Sequence, residues 1–388
     1  MNLRFFGHMK IGVYRKFKSA DEIIEGFVAL GHEVQVFDSI RSMEENGRFD
    51  LLLDINFHLR IAKFCKSRSI PMLVWSFDSG TYIAMRDYEP RDEDFFFLFN
   101  KEDVTLIREN LTPNCWYLPF SAGDELIKKP KLMTESTVAV LNSYRATFND
   151  SEKAFQKQLE SSDEHTQSLL VLIKKIMDLA AELHLNMFCS NHLEEILHSL
   201  IKQCGVDPFS TFPAMRKNMV HSYGQVISSQ QREKLVHEIA RVTPIQLYGD
   251  QFWGEPSFAQ SNIEYMGMAD YNNLPNIYNN ASINISMTQI QGLDSIPQRV
   301  FHVLAAGGFL LTNNQEIISE YFKPGIHLDT FDDYFDLQNK VEFYLSNPEK
   351  RFEISQQGHL AFLEQHTMKH RIETILSIVK ERLSCPVP

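Results

Sequence analysis

Short apolar runs alternate with stretches of helical periodicity over the first 125 residues, and this alternation leaves few folds open. Residues 3–6 and 11–14 compete for the first strand. Residues 20–30 carry Ile23, Ile24, Phe27 and Val28 at helical spacing and stop at Gly31. Further strands are predicted at 33–37, 51–54, 72–75, 95–99 and 116–118, with helices near 57–67 and 102–110. Strands separated by helices predict a parallel sheet covered on both faces. Ligands of such sheets bind at the carboxyl ends of the strands.

The basic run Lys128-Lys129-Pro130-Lys131 reads as a linker, after which residues 137–141 open a second set of strands. Residues 150–240 are helical in pattern, with amphipathic runs at 168–185, 193–201 and 230–239. Strand signals return at 245–248, 282–286 and 308–312, and residues 332–384 read as three helices broken near Asn347-Pro348 and His366-Thr367. The expected fold class is α/β with two Rossmann-like domains facing each other across a cleft. An N-terminal domain would span 1–130 and a C-terminal domain 131–365, with a helical insertion at about 150–240. A last helix, 366–388, would pack back on the N-terminal domain.

Composition narrows the function. The chain has 388 residues, 44% hydrophobic, enough to bury a sizeable core. A net charge of −12 argues against general nucleic-acid binding, which needs a basic face. Five scattered cysteines, Cys65, Cys115, Cys189, Cys204 and Cys385, form no CxxC pair, so neither a disulfide framework nor a zinc site is expected and a reducing, cytoplasmic setting fits. No secretory h-region and no run of about eighteen apolar residues is present, which leaves only peripheral membrane contact open. Nothing in the sequence fixes an oligomeric state.

The C-terminal third carries the sharpest signal. A strand ends near Ser286, a loop follows through Gly292-Leu293-Asp294-Ser295-Ile296, and a helix begins at Pro297-Gln298-Arg299. Proline suits the first turn of a helix. The free N–H groups of that turn can hold a phosphate, and Arg299 can add a charge-assisted bond to a diphosphate. Ala305-Ala306-Gly307-Gly308 then ends the helix close to the next strand. The residues alone equally allow a plain βαβ unit with a surface arginine.

Gln298-Arg299-Val300-Phe301-His302 with the run 305–312 resembles the CgeB-like (spore maturation protein) glycosyltransferases, of group-1 type and GT-B fold. Tyr278-Asn279-Asn280-Ala281-Ser282, Phe322-Lys323-Pro324-Gly325, Asn347-Pro348 and Glu364-Gln365-His366-Thr367 with Arg371 extend the likeness, and Trp75-Ser76-Phe77-Asp78 continues it more loosely into the N-terminal half. The resemblance implies transfer of a sugar from a nucleotide-diphosphate donor, a UDP-sugar or GDP-sugar as co-substrate, to an acceptor that is a glycan, a protein or a small molecule. No other cofactor is implied.

Group-1 transferases line the donor site with two glutamates separated by seven residues. The resemblance puts Asp294 and His302 at those positions, so neither is glutamate, with Ser295 beside them and Gln298 and Arg299 on the phosphates. Tyr248-Gly249, at a strand end, would flank the base, and Asn142 would reach the phosphates. Asp78, after the strand at 72–75, is the first candidate for a catalytic base and His58 the second. Lys10, Arg15, Lys16 and Lys18 cluster in the first loop, where a solvated loop and an acidic acceptor are both open. Asp92-Glu93-Asp94 reads as a solvated loop rather than a metal motif, so metal-independent donor binding is expected. The scaffold would also serve a nucleotide-sugar epimerase or a catalytically silent nucleotide-sugar-binding protein.

Overall fold

The computed structural model describes residues 8–384 except 15–19, 47, 79–80, 86, 144–152, 154–155, 158, 185–192, 206, 208–209, 211–212, 256–257, 259 and 291–293. Residues 3–6, Arg15, Lys16 and Lys18 therefore lie outside the described residues, and the first strand is the other candidate, β1 (Lys10–Tyr14). It is joined by β2 (Glu33–Phe37), β3 (Leu51–Ile55), β4 (Met72–Ser76), β5 (Asp94–Leu98) and β6 (Cys115–Tyr117). The order is β2-β1-β3-β4-β5-β6, every pair parallel. Every residue of β3, β4 and β5 is buried, as expected of strands covered on both faces.

The second sheet holds β7 (Val138–Ser143), β8 (Ile245–Gly249), β9 (Ile263–Gly267), β10 (Ile283–Ser286), β11 (Leu310–Asn313) and β12 (Asp329–Phe331). Its order, β12-β11-β10-β7-β8-β9, is again all parallel and is the doubly wound order of dinucleotide-binding folds. The direction in which successive strands are added reverses between β7 and β10, and in the first sheet between β1 and β3, while all strands stay parallel. Two strands escape the sequence reading for physical reasons. β9 is a half-exposed edge and β12 has only three residues, so neither shows a continuous apolar run.

Two compact units result, the first comprising Met1–Ile127, Asp294–His302 and Ala361–Pro388, the second Lys128–Leu293 and Val303–Leu360. In the first, the helix Met368–Ser384 buries Met368, Ile372, Ile375 and Val379 with Ile23 and Phe27 of the helix Ala20–Ala29. In the second, the helices Glu164–His184, Leu193–Cys204 and Pro213–Ala240 share an apolar cluster of their own around Ile173, Met177, Leu197 and Ile227. The last of these continues toward β8 and buries Leu235, Val236 and Ile239 in the main core. Among the described residues no helix is long and apolar enough to cross a membrane.

Gly307 shows why two glycines follow the helix Gln298–Ala305. Its φ is +66°, and a Cβ there would lie 2.6 Å from the backbone nitrogen of Pro130. Left-handed geometry alone costs an L-residue roughly 1–2 kcal/mol, and overlap with backbone that cannot retreat adds roughly 1–3 kcal/mol. Gly325 has a similar φ of +77° with nothing within 4 Å of its Cβ position. Gly325→Ala should therefore lower stability by about 1 kcal/mol and Gly307→Ala by about 3 kcal/mol, as read from urea denaturation midpoints at constant slope.

Candidate functional site

At the carboxyl edge of the first sheet, beside its reversal point, the chain builds a polar cluster on an apolar floor. Asp54, the fourth residue of β3, is fully buried. Its Oδ2 accepts the backbone N–H of His58 at 2.7 Å, and its Oδ1 lies 2.7 Å from His58 Nδ1. Tyr14, the last residue of β1, pairs with Asp54 in register and meets the His58 ring edge-on, centroids 5.3 Å apart. The His58 side chain retains 23% exposure.

Asn56 ties this cluster to β4. Its φ is +58°, a left-handed turn that asparagine tolerates better than most residues. Its Oδ1 accepts from Phe77 N at 2.8 Å and Ser76 Oγ at 3.2 Å, and its Nδ2 donates to Asp78 Oδ2 at 2.6 Å. The two sequence-predicted catalytic residues thus sit in two hydrogen-bonded groups at this sheet edge, His58 with Asp54 and Asp78 with Asn56. Asp54 and Asn56, which organise them, were missed by sequence reasoning. The available signal was a lone aspartate inside an apolar run, four residues before a histidine.

The expected solvated loop at Asp92-Glu93-Asp94 is corrected at its last residue. Asp94 opens β5 fully buried, where Arg91 Nη2 at 2.6 Å and the Tyr88 hydroxyl at 2.6 Å satisfy its carboxylate. Among the described residues no group of three or more His, Cys, Asp or Glu is arranged to hold a metal ion. Cys65 and Cys115 are buried, and burial pushes both thiols up to about 12, so neither is a nucleophile.

At the carboxyl edge of the second sheet, Asn142 lies in β7, next to the irregular pairing of Leu141 and Ser143 with Tyr248 and Gly249 of β8. Tyr248 is half-buried, and burial followed by the charge of Glu264 raises its phenol. The carbonyls of Gly249 and Asp250 accept from the Tyr265 hydroxyl at 3.3 and 2.8 Å. Beyond β10, Thr288 N donates to Asn313 Oδ1 at 2.8 Å and Thr288 Oγ1 to Gln315 Oε1 at 3.1 Å. The buried Gln315 Nε2 and Thr312 Oγ1 have no hydrogen-bond partner among the described residues. These four polar residues were also missed; a threonine or glutamine in a loop carries no sequence signal.

The helix Gln298–Ala305 begins beyond β10, as expected, and is the crossover to β11. Gln298 and Arg299 are half-buried in its first turn, and the buried Gln298 Nε2 has no hydrogen-bond partner among the described residues. The residues placed on the acidic-pair pattern meet other residues of the first unit. Asp294 Oδ1 accepts from Asn100 Nδ2 and Oδ2 from Glu102 N, each at 2.7 Å, at the start of the helix Lys101–Asn110. A carboxylate there complements the helix N-terminus. Ser295 is fully buried. His302 is 3% exposed, with its Nε2 3.6 Å from Glu22 Oε1 and its ring against Phe120.

Burial works against the charged form of both Glu22 and His302. Burial, with the nearby charge of Glu125, raises the Glu22 carboxyl well above its usual range, while the Gly123 N–H bound to Glu22 Oε2 offsets part of this. Burial, then the charge of Arg299, pushes the His302 imidazole down to about 3. Below pH 6.5 the unfolded chain protonates His302 and the folded chain does not, so stability falls as pH falls from 6.5 toward 3. Glu22 has the opposite sign: its contribution is complete below pH 4.5 and is lost as pH rises through its raised value. Between pH 7 and pH 5 the His302 contribution falls by about 2 kcal/mol. His302→Leu should flatten the stability–pH curve over that interval by this amount, as measured by urea denaturation at each pH.

Residues 230–377 match the family model described as glycosyl transferase-like. No curated protein matches the sequence. Among solved structures, the sucrose-phosphate synthase of Thermosynechococcus elongatus superposes with a TM-score of 0.56 at 8% identity, over 97% of this chain and 100% of that one. AviGT4, a glycosyltransferase involved in avilamycin A biosynthesis, gives 0.53 at 8% identity, covering 97% and 98%. Anabaena Alr3699/HepE, in complex with UDP and glucose, gives 0.52 at 10% identity, covering 97% and 100%. Two doubly wound parallel sheets with these neighbours make this the GT-B fold, and the segment 230–377 is glycosyl transferase-like.

Proposed function

We propose that the chain transfers a sugar from a nucleoside-diphosphate donor to an acceptor hydroxyl. The observation that carries this reading is the glycosyl transferase-like match over 230–377, which includes the β10–helix–β11 crossover at the reversal point of a doubly wound sheet. The donor would sit at the carboxyl edge of β7, β8 and β10. The first turn of the helix Gln298–Ala305 offers its N-terminal dipole, Gln298 a side-chain amide nitrogen with no hydrogen-bond partner among the described residues, and Arg299 a guanidinium for the diphosphate. Tyr248 and Gly249 would flank the base, and Asn142 would reach the phosphates. Arg299 supplies the positive charge, so the proposed binding needs no metal ion. Asp294, Ser295 and His302 are assigned to holding this segment rather than to the donor, because Asp294 has both oxygens engaged and the other two are buried. The acceptor side is assigned to His58 and Asp78 at the carboxyl edge of the first sheet.

UDP is the first nucleotide to test, because a structural neighbour holds it. At a hundred times its dissociation constant a ligand stabilises by about 2.7 kcal/mol. Thermal unfolding with UDP, and with GDP in parallel, should show an upward shift that persists in EDTA. Arg299→Ala should weaken the binding of the active nucleotide about 10- to 100-fold, equivalent to the loss of one or two charge-assisted bonds. No shift with either nucleotide would overturn the reading.

A second reading, a catalytically silent nucleotide-sugar-binding protein, draws on the diversion of Asp294 and His302 to other partners. It predicts the same thermal shift with no turnover of the bound UDP-sugar, with or without acceptors.

A further inference from the structure

We propose that the second unit carries an anion site at the amino edge of its sheet, built from the buried guanidinium of Arg351 and the ammonium of Lys131. Its ligand is a phosphate group, either the free ion or the end of a phosphomonoester. The site lies within the second unit alone and does not rest on sugar transfer.

A pocket opens where the chain enters β10 and β11. Ala281 and Ser282, directly before β10, and Gly308 and Phe309, directly before β11, line it together with Lys131 and Arg351. The strands of this sheet are parallel, so this edge is opposite the one assigned to the donor. The pocket encloses about 250 Å³ counting its open mouth. That is below the range of about 300–1,000 Å³ usual for small-molecule sites and suits a group no larger than phosphate.

The charge on this pocket has one sign. Among the described residues no acidic side chain lines it. Arg351 is 3% exposed. Its Nη1 donates to the carbonyl of Tyr344 and its Nη2 to the carbonyl of Met133, the latter at 2.6 Å. A guanidinium has five N–H groups, and these carbonyls use one from each of two nitrogens. Burial disfavours the charged form of Arg351, and the exposed carboxylate of Glu349, on the same helix Pro348–Gln365, offsets only part of this. Buried charges in folded proteins are normally paired, and carbonyls supply no counter-charge. Lys131 adds a second cation, with its Nζ donating to Asn280 Oδ1.

The backbone beside Lys131 is fastened in place. Lys128 N donates to the Ala305 carbonyl at 3.1 Å, and Asn279 Nδ2 donates to the Lys129 carbonyl at 3.0 Å. The basic run that reads as a linker in sequence is thus a fixed border of this edge. A fork-shaped donor and a point charge on one small pocket match the oxygens of a phosphate.

The test follows phosphate at the site itself. In the 15N-labelled full chain at pH 7.5, at constant ionic strength, the Arg351 Nε–H signal is assigned by its loss in Arg351→Lys. It should move with inorganic phosphate and saturate. Glycerol 3-phosphate distinguishes the sources: a matching movement assigns the end of a phosphomonoester, and no movement the free ion. Because Arg351 also holds two backbone carbonyls, the second variant is Lys131→Glu, at an exposed position. Calorimetric titration with phosphate should show its Kd raised about 10-fold or more, the loss of one charge-assisted bond. An Arg351 signal that stays in place, or moves without saturating, would overturn the proposal, as would an unchanged Kd in folded Lys131→Glu. Loss of phosphate binding in Arg299→Ala with Lys131→Glu unaffected would also overturn it, by assigning the ion to the carboxyl edge. Failure of UDP and GDP to bind while phosphate still moves the Arg351 signal would count against the transferase reading and not against this site.

Discussion

Burial of both faces of a parallel sheet is the constraint from which the rest of the structure follows. β3, β4 and β5 have no exposed residue, so each polar group in them needs an internal partner. Two aspartates meet this requirement in opposite ways. Asp94, at the amino end of β5, is held by a guanidinium and a phenol and is closed off as structure. Asp54, near the carboxyl end of β3, is held by a backbone N–H and an imidazole. The imidazole keeps part of its surface exposed, so the same solution of a burial problem ends at the edge of the sheet.

The segment Asp294–His302 shows the same economy elsewhere. In the resemblance its two marked positions belong to the donor site, yet Asp294 caps the helix Lys101–Asn110 and His302 packs against Glu22. Aspartate is shorter than glutamate by one methylene and suits a capping role. Histidine tolerates deep burial when it stays neutral, which its lowered protonation range ensures. The first turn between them, Gln298 and Arg299, keeps the polar groups suited to an anion.

Much of the fold was legible because its signals are local. Strands such as β3 and β4 are continuous apolar runs and the helix Ala20–Ala29 is amphipathic, so their type follows from period alone. The half-exposed β9 and the three-residue β12 gave no such signal and emerge only from pairing with neighbours. The glycine pair after the crossover helix was legible as a stop, but the backbone of Pro130 against Gly307 was not.

The sequence by itself determined the class of fold, the position of the crossover helix and the candidacy of His58, Asp78, Gln298 and Arg299, because alternation, proline placement and residue chemistry are properties of neighbouring positions. Only the tertiary structure decided partners. It joined Asp54 to His58 and Asn56 to Asp78, drew Asp294 to Asn100 across 194 positions of chain, and buried His302 against Glu22. Which atom satisfies a buried polar group depends on distances between strands and helices remote in sequence, and these are fixed only when the sheets and their crossovers pack.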